Sequence, residues 1–199
     1  MKVLVTAFDP FGGESVNPAE QAVGLLPDRI NDKEIHKLTI PTVFGKAGEL
    51  VIRKMDEIRP DAVICVGQAG GRSAVTPERV AINVMDANIK DNAGNQPQDE
   101  PVVPGGPAAY FSTLPIKNMV QAIKDAGLSG AVSNTAGTFV CNSLLYSVLH
   151  HAAVNMPDTR AVFIHVPYVP EQTVDKKDKP SMPLSDIVCA LEAAIASIQ

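Results

Sequence analysis

An α/β fold is predicted for this 199-residue sequence: a three-layer α/β/α sandwich around a twisted mixed, mainly parallel sheet. Runs rich in β-branched residues alternate with stretches of 3.6-residue apolar period, the pattern of strands joined by helices that cover both faces of a sheet. The chain is also little longer than the ~150 residues of a typical domain. It is 45% hydrophobic, which supports a sizeable core, and it shows neither a linker nor an internal repeat. Residues 1–199 are therefore expected to form one domain.

The first strand is predicted at 2–8, "KVLVTAF". A helix follows at 18–26, where Asn17 before Pro18 fits a side-chain cap followed by a proline at the first helical position. A strand at 34–40 and a helix at 45–58 come next, then a buried strand at 61–67, "DAVICVG". "RVAINVM", 79–85, reads as a further strand. In "PIKNMVQAIKDAG", 115–127, Ile116, Met119, Val120 and Ile123 share one stripe, and Gly127 suits the helix end. A strand near 130–133, a helix carrying Cys141, a strand at 160–166 and a closing helix at 184–198 complete the order. Two polar segments interrupt it. Residues 86–107, rich in Pro, Gly and Asn, are too long for a plain connection and suggest a functional flap or an interface loop. Residues 169–185 are polar enough to be partly mobile.

A net charge of -5 lacks the basic excess that nucleic acid favours, and an acidic membrane surface is an equally poor partner. No apolar run approaches the roughly 18 residues of a membrane helix, and Met1 runs into "KVLVTAF" without the apolar stretch and cleavage site of a leader. A cytoplasmic location is expected. Three cysteines, an odd number at wide spacings, fit reduced thiols and make no metal site. Neither a metal nor a cofactor is expected.

Cys65 lies inside a buried strand, and Cys189 sits among Ile187, Val188 and Leu191, so both read as small core hydrophobes. Cys141 differs. Its flank, "NTAGTFV", contains a glycine that permits unusual backbone angles, and the helix that follows puts the thiol near its N-terminal turn. There the dipole and the free N–H groups favour thiolate, and the same amides can bind an oxyanion.

A nucleophilic thiol needs a base, and the base needs an orienting partner. His36 sits in a strand among charged neighbours, and the consecutive His150 and His151 point apart on their helix. His165 ends "RAVFIHVPY", where strand ends of an α/β sheet deliver catalytic groups. Two readings of it are open: a catalytic base, or a hydrogen-bonded core histidine. Glu78, just after the glycine loop "GQAGGR", is the carboxylate best placed to orient it, although an ion pair with Arg72 or Arg79 is an equally ordinary use. In "AFDPFGGESVNPAE", Phe8 and Phe11 suit either core or two walls of a flat apolar pocket. Walker, nucleophile-elbow, HExxH and CxxC signatures are absent, and "VGQAGGR" does not match a dinucleotide loop.

Seven stretches in order, "TAFDPFGGESVNP", "VGQAGGR", "TPERVAIN", "NQP", "GGPAAYFSTLPI", "NTAGTFVCN" and "FIHVPYVPEQ", resemble the pyrrolidone-carboxylate peptidases, also called pyroglutamyl-peptidases type I. These are cytoplasmic cysteine peptidases, often homotetramers of α/β/α subunits, and the resemblance spans nearly the whole chain. It implies a catalytic domain in which Cys141 is the nucleophile, His165 the general base and acid, and Glu78 the orienting carboxylate. It further implies that Phe8, Phe11, Asn17 and Gln68 help form the pocket of a pyroglutamyl ring, with Val140 and Cys141 amides at the oxyanion. The implied substrates are N-terminally pyroglutamylated peptides. A flat, neutral lactam suits aromatic walls and amide partners. Where bacterial members usually read "DARIPDN", this chain reads "DANIKDN", so Asn88 takes the oxyanion-supporting place of an arginine and Lys90 that of a proline. The alternatives are another cysteine amidohydrolase on the same scaffold, or a non-catalytic α/β small-molecule-binding module in which Cys141 is packing.

Overall fold

The computed structural model describes residues 1–199. Its centre is a six-stranded sheet. The strands are β1 (Lys2–Phe8), β2 (Arg29–Ile30), β3 (Lys33–Ile40), β4 (Ala62–Gln68), β5 (Thr76–Pro77) and β8 (Arg160–Val166), in the order β2-β3-β1-β4-β8-β5. The four interior strands are parallel, and the short edge strands β2 and β5 are antiparallel to their neighbours.

Period-2 alternation divides each interior strand between two cores. Val3, Val5 and Ala7 of β1, Ile64 and Val66 of β4, and Val162, Ile164 and Val166 of β8 face one layer. That layer holds α1 (Pro18–Leu25), α3 (Ile116–Asp125) and α5 (Leu184–Ala196). Leu4 and Phe8, Val63 and Cys65, and Ala161 and Phe163 face the other, covered by α2 (Lys46–Ile58) and α4 (Val140–Asn155). Sandwich and mixed sheet are thus as the sequence predicts.

Three expectations need correction. Of 79–85 only β6 (Val80–Ile82) is strand, and it pairs with β7 (Ala109–Phe111) in a separate two-stranded sheet. Residues 130–133 make isolated bridges, Gly130 to Val75 and Ser133 to Glu78, because the chain meets its neighbours there at single points rather than along a ladder. Cys189 is exposed, since Ile187, Ala190, Leu191, Ala194 and Ile195 already fill the buried face of α5.

Both long polar segments are tied down. Within 86–107, Asp91 accepts from the amides of Phe44, Ala93 and Asn95, while Gln96 and Gln98 both donate to the Ala87 carbonyl. In 169–185, which opens on a 3-10 turn at Pro170–Gln172, Lys176 meets Glu14 at 2.8 Å.

Candidate active site

From β1 the chain crosses through α1 to β3, and from β3 it crosses back through α2 to β4. The loops after β1 and β4 therefore diverge and leave a crevice at the C-terminal ends of adjacent strands, where open α/β sheets bind ligands.

The face of the sheet under α4 carries the chemistry. Gly67 follows Cys65 on that face, and its register partner on β8 is His165. A Cβ at Gly67 would stand 2.6 Å from Phe163 Cζ and 3.3 Å from Cys141 Sγ, so only glycine leaves room for both the ring and the thiol. The Phe163 and His165 rings lie 4.6 Å apart between centroids.

His165 is 4% exposed, and its Nδ1 donates to Glu78 Oε1 at 2.7 Å. That bond fixes the tautomer, leaving Nε2 of the neutral ring free to accept a proton. Sγ forms no hydrogen bond with the ring in the free protein. Glu78, fully buried, reaches this position because β5 pairs antiparallel with β8: Thr76 sits opposite His165, and the Glu78 amide donates to the Phe163 carbonyl. Arg72 from the glycine loop donates to the same Oε1 at 2.7 Å. The ion pair and the histidine bond thus coexist, whereas Arg79 turns to the Asn134 side chain.

Burial pushes the Glu78 carboxyl up, but His165 foremost, then Ser133 and Arg72, outweigh it and hold the group below the usual carboxylate range. Burial lowers His165, and Glu78 only partly opposes it. For Cys141, burial first and the Glu78 charge second push the thiol up to about 12, with Arg72 opposing. Cys141 keeps a solvent-accessible edge that sealed Cys65 lacks, so water relieves part of that push at Cys141 alone. Burial thus favours the neutral form of both the thiol and the imidazole. Desolvation there opposes the helix dipole, which favours thiolate.

Cys141 is the second residue of α4, and no side chain caps that helix, so its first-turn amides remain available. Gly137, at φ 75°, turns the preceding loop. Thr138 binds Asp86 in both directions, its Oγ1 donating to the Asp86 carbonyl and its carbonyl accepting from the Asp86 amide. One residue beyond the thiol, buried Asn142 clamps β6 through the amide of Ile82 and the carbonyls of Ile82 and Val84.

The aromatic surface differs from the expected pair. Phe8 is sealed in the core against Phe163, at 6.2 Å, because its side chain points beneath α4. Half-buried Phe11 instead faces Phe139 at 6.3 Å, and Phe44 meets Phe139 edge-on at 5.2 Å. Phe139 and Phe44 escaped the sequence reading, although the position of Phe139 between Gly137 and Cys141 marked it. Val140 is buried at the start of α4. Buried Asn17 caps α1 through Oδ1 to the Ala19 amide and donates through Nδ2 to the Asp9 carbonyl.

Strand alternation puts Gln68 on the face opposite Gly67, where its Oε1 accepts from Gln172 Nε2 at 2.8 Å, so its side chain is not gathered with the thiol. Asn88 is exposed and its side chain is unbonded, although the Asp86–Thr138 contacts hold its segment beside the loop before α4. His150 and His151 serve packing, with Tyr110 and Asp56 respectively.

A three-layer α/β sandwich that gathers a thiol, an imidazole and a carboxylate at the C-terminal ends of β4 and β8, beside the crevice where its strand order reverses, is the framework of a cysteine hydrolase. The sequence pattern of the pyroglutamyl peptidase family matches residues 1–199, and the chain belongs to that family of cysteine peptidases. It is 58% identical over 198 residues to a pyrrolidone-carboxylate peptidase of Staphylococcus carnosus, covering 100% of this chain and 93% of the relative. A pyrrolidone-carboxylate peptidase of Clostridium perfringens is 55% identical, with the same coverage. Among solved structures, pyroglutamyl peptidase I of Bacillus amyloliquefaciens superposes with a TM-score of 0.96 at 50% identity, covering 98% of this chain and 95% of that one. The pyrrolidone carboxyl peptidase of Pyrococcus furiosus gives 0.94 at 46% identity, covering 98% and 96%. No helix is long and apolar enough to cross a membrane.

Proposed function

We propose that this chain removes the pyroglutamyl residue from the N-terminus of peptides, with Cys141 as nucleophile, His165 as general base and then acid, and Glu78 as the group that orients the ring. The observation that carries the assignment of roles is the buried 2.7 Å bond from His165 Nδ1 to Glu78 Oε1, beside a thiol to which Gly67 gives room.

Attack and proton transfer occur together. As Sγ adds to the pyroglutamyl carbonyl, Nε2 takes its proton, and Glu78 stabilises the imidazolium that forms. The oxyanion is held by the uncapped amides of Val140 and Cys141, with Asn88 available as a neutral donor from the adjoining segment. Nε2 then protonates the departing amine, and the free ring activates the water that hydrolyses the thioester. No step calls for a metal or an organic cofactor.

The lactam ring lies among Phe11, Phe139 and Val140, with Phe8 backing the site from the core. Asn17 acts by fixing the loop after β1, and Gln68, its side chain committed to Gln172, acts through its main chain. We further infer a single catalytic domain, a homotetramer and a cytoplasmic location. Resemblance to the family supports the assembly, as does the open face of the small sheet, where Ile82 and Phe111 are 37% and 69% exposed.

The test is release of a fluorophore from a pyroglutamyl amide, with the prolyl amide as control, by wild type and Cys141→Ala under reducing conditions. Cleavage of the pyroglutamyl amide alone, abolished in the variant, is expected. Cleavage of neither by folded wild type would reject the reading, and a different small amide as the better substrate would favour another amidohydrolase.

A further inference from the structure

Resting on that reading, we propose that Arg72 is a positioning residue of the same reaction, whose guanidinium fork locks the Glu78 carboxylate to the loop that delivers Cys141. Arg72 closes the glycine loop after β4: its amide donates to the Ala69 carbonyl, and Gly71, at φ 93°, turns the chain back toward β5. Nη1 then donates to Glu78 Oε1 at 2.7 Å and to Thr76 Oγ1 at 2.6 Å, while Nη2 donates to the Thr135 carbonyl at 3.2 Å. One planar group therefore joins the orienting carboxylate, the strand paired with His165, and the segment that passes through Gly137 into α4. Lysine, a point charge on a flexible stem, cannot make all three contacts in a fixed plane.

The carboxylate needs such a partner. Glu78 is wholly buried and its Oε2 has no hydrogen-bond partner, so the anion depends on the bonds that His165 and Arg72 make to Oε1 and on the nearby Ser133 side chain. His165 alone would serve poorly, since a lone carboxylate draws a proton onto the ring it orients. Two charged groups bear on the imidazole, Glu78 after β5 and Arg72 in the glycine loop: Glu78 stabilises the protonated ring and Arg72 opposes it. The thiols of Cys65 on β4 and Cys141 on α4 are both pushed up by burial. Burial first and Arg72 with it thus favour His165 as a neutral base in the free enzyme, and Arg72 leaves Glu78 able to support the imidazolium once it forms.

A merely structural arginine would affect stability and nothing else. The experiment compares wild type, Arg72→Gln and Arg72→Lys in three readouts: kcat and KM on the pyroglutamyl amide, the pH profile of kcat/KM, and an NMR titration of the His165 ring. Arg72→Gln is expected to lower kcat about 10- to 100-fold with KM within about twofold, and to move the acid limb and the ring titration to higher pH. Arg72→Lys is expected to return the acid limb toward wild type while recovering only part of kcat. Should the glutamine variant fail to fold, the lysine variant decides, with kcat about tenfold down at unchanged KM expected. Folded variants with wild-type kcat, or with reduced kcat but an unmoved acid limb and ring titration, would overturn the role. Wild type inactive on the amide would reject the proposed function, and the ring titration would still report whether Arg72 opposes Glu78.

Discussion

Two helices begin at the active edge of the sheet, and they begin differently. α1 opens with its own cap: Asn17 Oδ1 accepts from the Ala19 amide, Pro18 occupies the first turn, and Asn17 is buried. α4 opens on Phe139, whose side chain can cap nothing. A cap contributes about 1 kcal/mol, so the sequence of α4 forgoes stability that α1 takes. It can do so because α4 is held by packing: Leu144, Leu145, Tyr146, Val148 and Leu149 are all buried in the core on that side of the sheet. The difference shows how one fold separates two uses of the same backbone geometry. Amides that the chain satisfies are structure, and amides that it leaves open beside a thiol are available to a substrate oxyanion.

The most damaging way to break the comparison is to close the space beneath α4. Gly67→Ala forces a methyl group against Phe163 and Sγ, and the phenyl ring, packed between Phe8 and His165, has little freedom to move. Overpacking of this kind costs about 1–3 kcal/mol. The displaced thiol should lower kcat at least about 100-fold. Denaturant unfolding together with kinetics checks both, and an active, equally stable variant would show that Gly67 does not set the thiol position.

A smaller effect is expected from exchanging the caps. Phe139→Asn supplies α4 with the side chain that α1 has, and Phe139→Leu controls for loss of the aromatic contacts with Phe11 and Phe44. The asparagine variant should have kcat about tenfold below the leucine variant, because its side chain competes for the amides assigned to the oxyanion. Asn17→Ala should instead cost about 1 kcal/mol of stability, with most of its kinetic loss in KM through the loop that Asn17 holds to Asp9. Equal kcat in the two Phe139 variants would mean that the open amides of α4 play no part.

The same contrast explains what could be read in the sequence. The cap of α1 is local, written in Asn17-Pro18, and was legible. So were β1, β4 and β8, whose apolar runs reflect burial on both faces, and so was the helix that starts beside Cys141. Glu78 was legible as a carboxylate after a glycine loop, with His165 and Arg72 as alternative partners, but that it takes both at once was not, since β5 is two residues long and exists only through its register with β8. Phe139, Gly67 and Gln172 were missed for a related reason. Their importance lies in which face of a strand or helix start they occupy, and that depends on partners far away in sequence. Cys189 departs from expectation because its apolar neighbours in sequence, Ile187 and Leu191, lie on the buried face of α5 while Cys189 itself is exposed.

The smallest predicted effect concerns the charge on the thiol. At the start of α4 the dipole favours thiolate, whereas burial and Glu78 favour thiol, and the balance leaves Cys141 raised to about 12 in the free protein. A group raised in this way stays protonated through neutral pH, and the reactive fraction grows as pH rises. Alkylation of Cys141 by iodoacetamide should therefore climb steadily from pH 6 to 9, as mass spectrometry of the intact protein can follow. Exposed Cys189 would be alkylated as well, so the measurement belongs in a Cys189→Ser background, with Cys65 sealed by burial. A preformed thiolate–imidazolium pair would give instead a rate already level below pH 7, and that plateau would show that the open N-terminus of α4 outweighs desolvation. A steady climb would assign the generation of the nucleophile to the moment of attack, when His165 accepts the proton and Glu78 supports the charge.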